Sequence, residues 1–241
     1  MSQIVDTETA KEFMKETLEK IEEGELVKIS GELEVKSGHF REKLSEGRMP
    51  RLSGEELYDV LRLVFATRRK AKKILEEFES QGLSSWITEL LYGKSPVHLR
   101  FQDFCSRLGS LDPHIRYDLA GELLHFTFPD RYWLWSHWMW NPKTETGSLP
   151  LVTTEDFGLH APSLGESYLK VGKAIAFVHE VGDAAGFQSI SRSLFGTDVY
   201  LSCVYIVYAY TILRMRMTQE FNKVMPGLPE FSRRLLGVYN M

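Results

Sequence analysis

Pro113-His-Ile-Arg-Tyr-Asp-Leu-Ala-Gly-Glu-Leu-Leu-His-Phe-Thr-Phe-Pro-Asp-Arg-Tyr-Trp-Leu-Trp-Ser-His-Trp-Met-Trp140 is the stretch on which the fold turns. Its first half carries a helical pattern, and its second half holds four of the five tryptophans. Pro113 suits the first turn of a helix, where its missing N–H leaves nothing unpaired. The pattern runs to about His125. At about 100° per residue, with His114 at zero, His125 falls near 20°, Asp118 near 40° and Glu122 near 80°. Two imidazoles and two carboxylates therefore share one narrow stripe. A bland reading makes it the solvated side of an amphipathic helix. A chemical reading uses it as a general acid and base. Glu122-Leu-Leu-His125 also has the spacing at which both groups can meet one metal, so Asp118, Glu122 and His125 are the metal candidates. A di-metal site of the ferritin-like kind needs a second Glu-x-x-His, and the sequence has none.

The aromatic run from Phe126 to Trp140 admits three readings. Large rings dominate cores, they stack on bases, and they line pockets for flat or apolar ligands. On an ideal helix Trp133, Trp135, Trp138 and Trp140 point almost all the way round, so no single face presents them all. Part of the run is therefore core. The remainder, with His137, is the candidate binding surface. Residues 141–162 contain Pro142, Pro150, Pro162, Gly147 and Gly158 and read as a long loop. Loops of that length in compact domains are functional or mobile, which makes this one a candidate lid.

Outward from this centre, most of the chain reads as helix. Phe13, Met14, Leu18 and Ile21 are at helical spacing within 7–23. Gly24-Glu-Leu-Val-Lys28 and Gly31-Glu-Leu-Glu-Val-Lys36 echo each other seven residues apart and suggest a small β-hairpin near 25–36. Residues 37–52 read as loop. Ser53-Gly-Glu-Glu56 is a capping box that opens a helix over about 54–80. Further helices are expected at 84–92, from Pro96 to Gly109, from the Ser163-Leu-Gly-Glu166 capping box to 181, at 198–224 and at 229–236. Residues 182–196 read as a connector. His179, Glu180 and Asp183 share a face best explained as surface. Thr67-Arg-Arg-Lys-Ala-Lys-Lys73 is the one cationic cluster. Arg68, Arg69 and Lys72 can contact phosphates, or the cluster is simply the exposed side of its helix.

Composition narrows the class. The chain has 241 residues, 43% hydrophobic and 26% charged, with formal net charge −4. This is an ordinary globular composition, and an acidic balance does not suit a surface that grips nucleic acid everywhere. Only Cys105 and Cys203 are present, without metal-ligand spacing, which fits a reducing, cytoplasmic setting. The uncharged apolar run Val199–Leu213 has 15 residues, short of the roughly 20 a membrane span needs. No dinucleotide, Walker A, HExxH or Gly-x-Ser-x-Gly signature is present, which leaves the cofactor unknown.

Residues 83–140 carry a likeness. The order is Gly82-Leu-Ser-Ser-Trp-Ile-Thr-Glu-Leu-Leu-Tyr-Gly93, Pro96, Arg100-Phe-Gln-Asp-Phe104, Glu122-Leu-Leu-His125, Pro129, Tyr132 and Trp135. It resembles a helical module of bacterial restriction and phage-defence proteins, in which a leucine–histidine pair precedes a Pro-x-x-Tyr segment. The resemblance implies a prokaryotic helical binding module and transfers no catalytic residue.

The expected protein is mainly α, a globular domain of seven to nine helices, with residues 1–50 as N-terminal helix and arm and 51–241 as the main body. Its expected role is binding a partner, protein or nucleic acid, through 126–140 and the following loop. The runner-up is an enzyme or a ligand- or metal-binding protein with its pocket between helix 114–125 and the tryptophans. A third reading is a structural subunit of a larger assembly.

Overall fold

In the computed structural model the described residues are 4–182, 190, 192–216 and 226–239. Asp183, most of the 182–196 connector and residues 217–224 of the expected last long helix lie outside them. Among the described residues there are eleven α-helices, one 3-10 turn and two isolated β-bridges. The helices are α1 (Thr7–Leu18), α2 (Glu23–Lys43), α3 (Gly54–Leu63), α4 (Ala71–Phe78), α5 (Leu83–Tyr92), α6 (Val97–Arg107), α7 (Pro113–Thr127), α8 (Leu149–Val152), α9 (Leu164–Glu180), α10 (Gly196–Arg216) and α11 (Leu228–Leu235). The mainly α class holds. The helix count exceeds the seven to nine expected, for three identifiable reasons.

First, there is no hairpin at 25–36: α2 runs straight through it. The seven-residue echo is a helical repeat. Leu26, Leu33 and Phe40, spaced by seven, are all buried. Gly24, Gly31 and Gly38 keep the same spacing and face open space. Burial of the leucine row outweighs the roughly 1 kcal/mol helix cost of each glycine. The echo also sets Glu25 and Glu32 two turns apart. Arg233 on α11 reaches both, at 3.0 and 2.7 Å. Second, the expected helix 54–80 is two helices. Its capping box forms as read, but α3 stops at Leu63 and a turn occupies 64–70. The Thr67 hydroxyl donates to the Leu61 carbonyl at 2.6 Å, satisfying an acceptor that a continuing helix would use. Third, the loop after Trp140 contains the short α8.

The described residues form two compact units. One comprises Met1–Leu33, Trp138–Gly158 and Ala174–Met241; the other comprises Glu34–His137 and Leu159–Lys173. In the first, α10 is buried along most of its length. Its Tyr200 hydroxyl donates to the Ala10 carbonyl of α1 at 3.0 Å, and its Ser202 hydroxyl meets that of Ser232 on α11 at 2.6 Å. In the second, α5, α6 and α7 pack against one another, and α6, α7, α9 and the chain after α7 contribute a stack of four rings. Tyr117 and Trp135 lie 4.5 Å apart, Trp135 and Phe101 5.7 Å, and Phe101 and Tyr168 4.4 Å, every pair within 15° of parallel. Burial of such rings, with about 0.5–1.5 kcal/mol per pair beyond area alone, makes this stack the centre of the unit. Among the described residues no helix is long and apolar enough to cross a membrane.

Candidate functional site

The second unit brings together the two features the sequence kept apart. From Ile115 onward α7 is buried on nearly every side, and Asp118, Glu122 and His125 are all in the interior. The stripe is therefore not a solvated face. Instead, the chain after α7 turns back and runs along it. The His125 Nδ1–H donates to the Tyr132 carbonyl at 2.7 Å. Gly121 then meets the Trp135 peptide so closely that a Cβ would strike its carbonyl. Further along, the His137 amide donates to Asp118 Oδ1 at 2.7 Å and its ring Nδ1–H to Oδ2 at 2.5 Å. Residues 118, 121 and 125, on one face of the helix, thus serve as seats for 137, 135 and 132. The run that docks there is not helical, so the helical-wheel reading of the tryptophans does not apply.

His137 is the outcome of this docking. Its side chain is 27% exposed, whereas that of Asp118 is 1% exposed. Desolvation pulls the imidazole pKa down, but the Asp118 hydrogen bond and charge, helped by Glu122, leave it raised above the ordinary histidine value. The Nδ1 contact fixes the tautomer and leaves Nε2 to exchange protons. His114, one turn before Asp118, lies edge-on to this ring with centroids 5.3 Å apart. Its pKa is lowered by burial and then by the charge of His137, against the pull of Asp118 and Asp112. Phe65 lies on another side of His137, with centroids 6.4 Å apart and planes 15° apart.

Phe65 is placed by a buried ion pair. Lys36 Nζ lies 2.6 Å from Glu122 Oε2 and 4.1 Å from the centre of the Phe126 ring. The other oxygen, Oε1, accepts the Phe65 amide at 3.3 Å. Burial raises the Glu122 carboxyl above the usual range, with Lys36 opposing. Glu122 thus ties α2 to the turn that carries Phe65.

The sequence candidates separate as follows. Asp118 and His137 meet. Glu122 turns to Lys36 and His125 to the Tyr132 carbonyl, so the three metal candidates do not converge. Among the described residues no three His, Cys, Asp or Glu side chains group as a metal-ligating set. Trp135, Trp138 and Trp140 are buried and only Trp133 is partly exposed, because the run is packed as core. Trp138 has the Tyr205 ring 6.3 Å away within the first unit. The loop after Trp140 is tied to it, Ser148 and Leu149 donating to the Trp138 and Met139 carbonyls at 3.0 Å each. Gly147, at φ 146°, makes that turn. Of the basic run, Arg68 is partly buried, and Arg69 and Lys72 are exposed.

Sequence reasoning missed Phe65, Lys36 and the Lys70–Asp112 ion pair at 3.2 Å. No glycine or proline marks the 64–70 break, and Lys36 fell in the supposed hairpin. The only usable signal was Thr67 among the apolar residues that precede the arginines. A surface depression lined by Glu46, Thr88, Glu89, Tyr92, Lys94 and Ser95 shares no residue with the His137 site. Compared with protein-family models, curated proteins and solved structures, the chain matches none.

Proposed function

We propose that His137, held by Asp118 and accompanied by His114, is a general acid–base site, and that the chain is an enzyme built around it. The observation that carries this reading is the 2.5 Å contact between a buried carboxylate and a partly exposed imidazole. A carboxylate at Nδ1 orients the ring and stabilises its protonated form, while Nε2 does the chemistry. The neighbouring His114 supports the same reading. Two like groups whose surroundings drive their pKa values apart provide an acid and a base at one pH. Burial of Trp135, Trp138 and Trp140 favours this runner-up over an aromatic binding platform.

Histidine-resolved NMR titration of the full chain tests it. His137 is expected to hold its proton to higher pH than a free imidazole, and His114 to lose it at lower pH. Asp118→Asn should bring the His137 value down. Free-like titration of both rings, indifferent to Asp118→Asn, would remove the basis for the reading.

A further inference from the structure

We propose that the bond acted on at His114 and His137 is the phosphodiester of single-stranded RNA. This rests on the acid–base reading of the same site. Three features of the second unit support it together. Phe65 is the second residue of the turn 64–70, its ring near-parallel to that of His137 at 6.4 Å, and it is partly exposed. An aromatic face beside the reacting groups is what an unpaired base stacks on. The same turn continues into Arg68, Arg69 and Lys70, and the first turn of α4 adds the exposed Lys72 and Lys73. Cations in series along a strand recognise successive phosphates. Lys70 is near enough to His114 for its charge to bear on that ring, with Asp112 and Asp118 opposing and His137 adding to it. His137 in turn faces Asp118 and Glu122.

An acid and a base side by side suit RNA because the strand supplies its own nucleophile. His114 accepts the proton of a ribose 2′-hydroxyl. The 2′-oxygen attacks phosphorus and forms the P–O2′ bond. The P–O5′ bond breaks, its electron pair goes to O5′, and His137 Nε2 gives that oxygen its proton. The products are a 2′,3′-cyclic phosphate and a 5′-hydroxyl. His114 ends protonated and His137 neutral, and exchange with water restores both.

The test incubates the purified full chain with an end-labelled single-stranded RNA, the DNA of the same sequence, and an RNA with one 2′-deoxy position. The expected result is cleavage of RNA to cyclic-phosphate ends, no cleavage of DNA, and protection of the deoxy position. His137→Gln and His114→Gln should each lower the rate by at least about 100-fold, the ordinary worth of a positioned acid or base. His114 is the safer of the two, since His137 also seats on the buried Asp118. Arg69→Ala with Lys72→Ala should weaken RNA binding and flatten its salt dependence. Intact RNA, equal cleavage of DNA, or cleavage unchanged by His114→Gln would overturn the proposal. If the histidines still titrate apart while RNA stays intact, the substrate is wrong and the acid–base reading stands.

Discussion

Helices α7 and α10 are both buried along most of their length, yet past the first turn, where α10 buries Asp198, they bury different chemistry. On α10 the interior polar groups include Ser202, which meets Ser232 at 2.6 Å, and the Tyr200 hydroxyl, which meets a carbonyl. They are neutral, and bonding one to another or to backbone is enough to keep them inside. On α7 the interior groups are Asp118, Glu122 and His125. Each carboxylate needs a partner able to carry positive charge, and Glu122 finds Lys36 while Asp118 finds His137. The first pair is sealed, at 0% and 4% exposure. The second reaches solvent through its histidine. Of these two buried carboxylates on α7, only Asp118 has a partner that can still exchange a proton with solvent, which is why the proposed acid–base role falls on it.

The comparison can be broken most forcefully at the sealed pair. Glu122→Ala leaves the Lys36 charge buried and uncompensated and should cost about 3–5 kcal/mol in urea unfolding. Replacing Lys36 by Met and Glu122 by Leu together should recover most of that loss. A double variant as unstable as the single one would mean the pair does more than hold the fold. Asp118→Asn comes next. With the charge gone, burial is the main influence left on His137, so its pKa should drop below the ordinary histidine value, read by NMR, while far-ultraviolet dichroism stays native. On α10 the effects are smaller. Ser202→Ala should cost about 1 kcal/mol, and the double alanine variant with Ser232 about the same or less, since neutral partners removed together leave nothing orphaned.

The smallest effect is pH dependence, and its sign differs between the two rings. His137 has a raised pKa when folded. Its contribution is complete below the unfolded value, about 6.5, and is lost as pH rises through the folded one. His114 has a lowered pKa, so its contribution is complete above about 6.5 and is lost as pH falls. Chemical denaturation across this range should show the alkaline loss vanish in His137→Gln and the acid loss vanish in His114→Gln.

Much of the helical framework was legible because caps and periodicity are local. The Ser53 capping box forms, the Ser163 hydroxyl accepts the Glu166 amide at 3.2 Å, and Gly82, at φ 101°, precedes α5 as punctuation does. The stripe on α7 was legible as a grouping but not as an interior, since nothing in residues 114–125 tells that residues 132–137 return to cover it. His137 and Asp118 were both singled out, but their meeting depends on Gly121 admitting the Trp135 peptide. Lys36 was hidden for a different reason. A lysine amid Gly and Glu reads as solvated, and only the distant Glu122 and Phe126 make it a core residue.

The four-ring stack from Tyr117 to Tyr168 has an optical consequence. Rings fixed in one chiral order rotate near-ultraviolet light strongly, and they lose that signal when packing loosens even if helices persist. His137 follows Trp135 by two residues, so unseating the imidazole from Asp118 is expected to disturb the neighbouring ring and lower this signal. The protein thus carries an intrinsic gauge of its site's integrity, readable without any label or substrate.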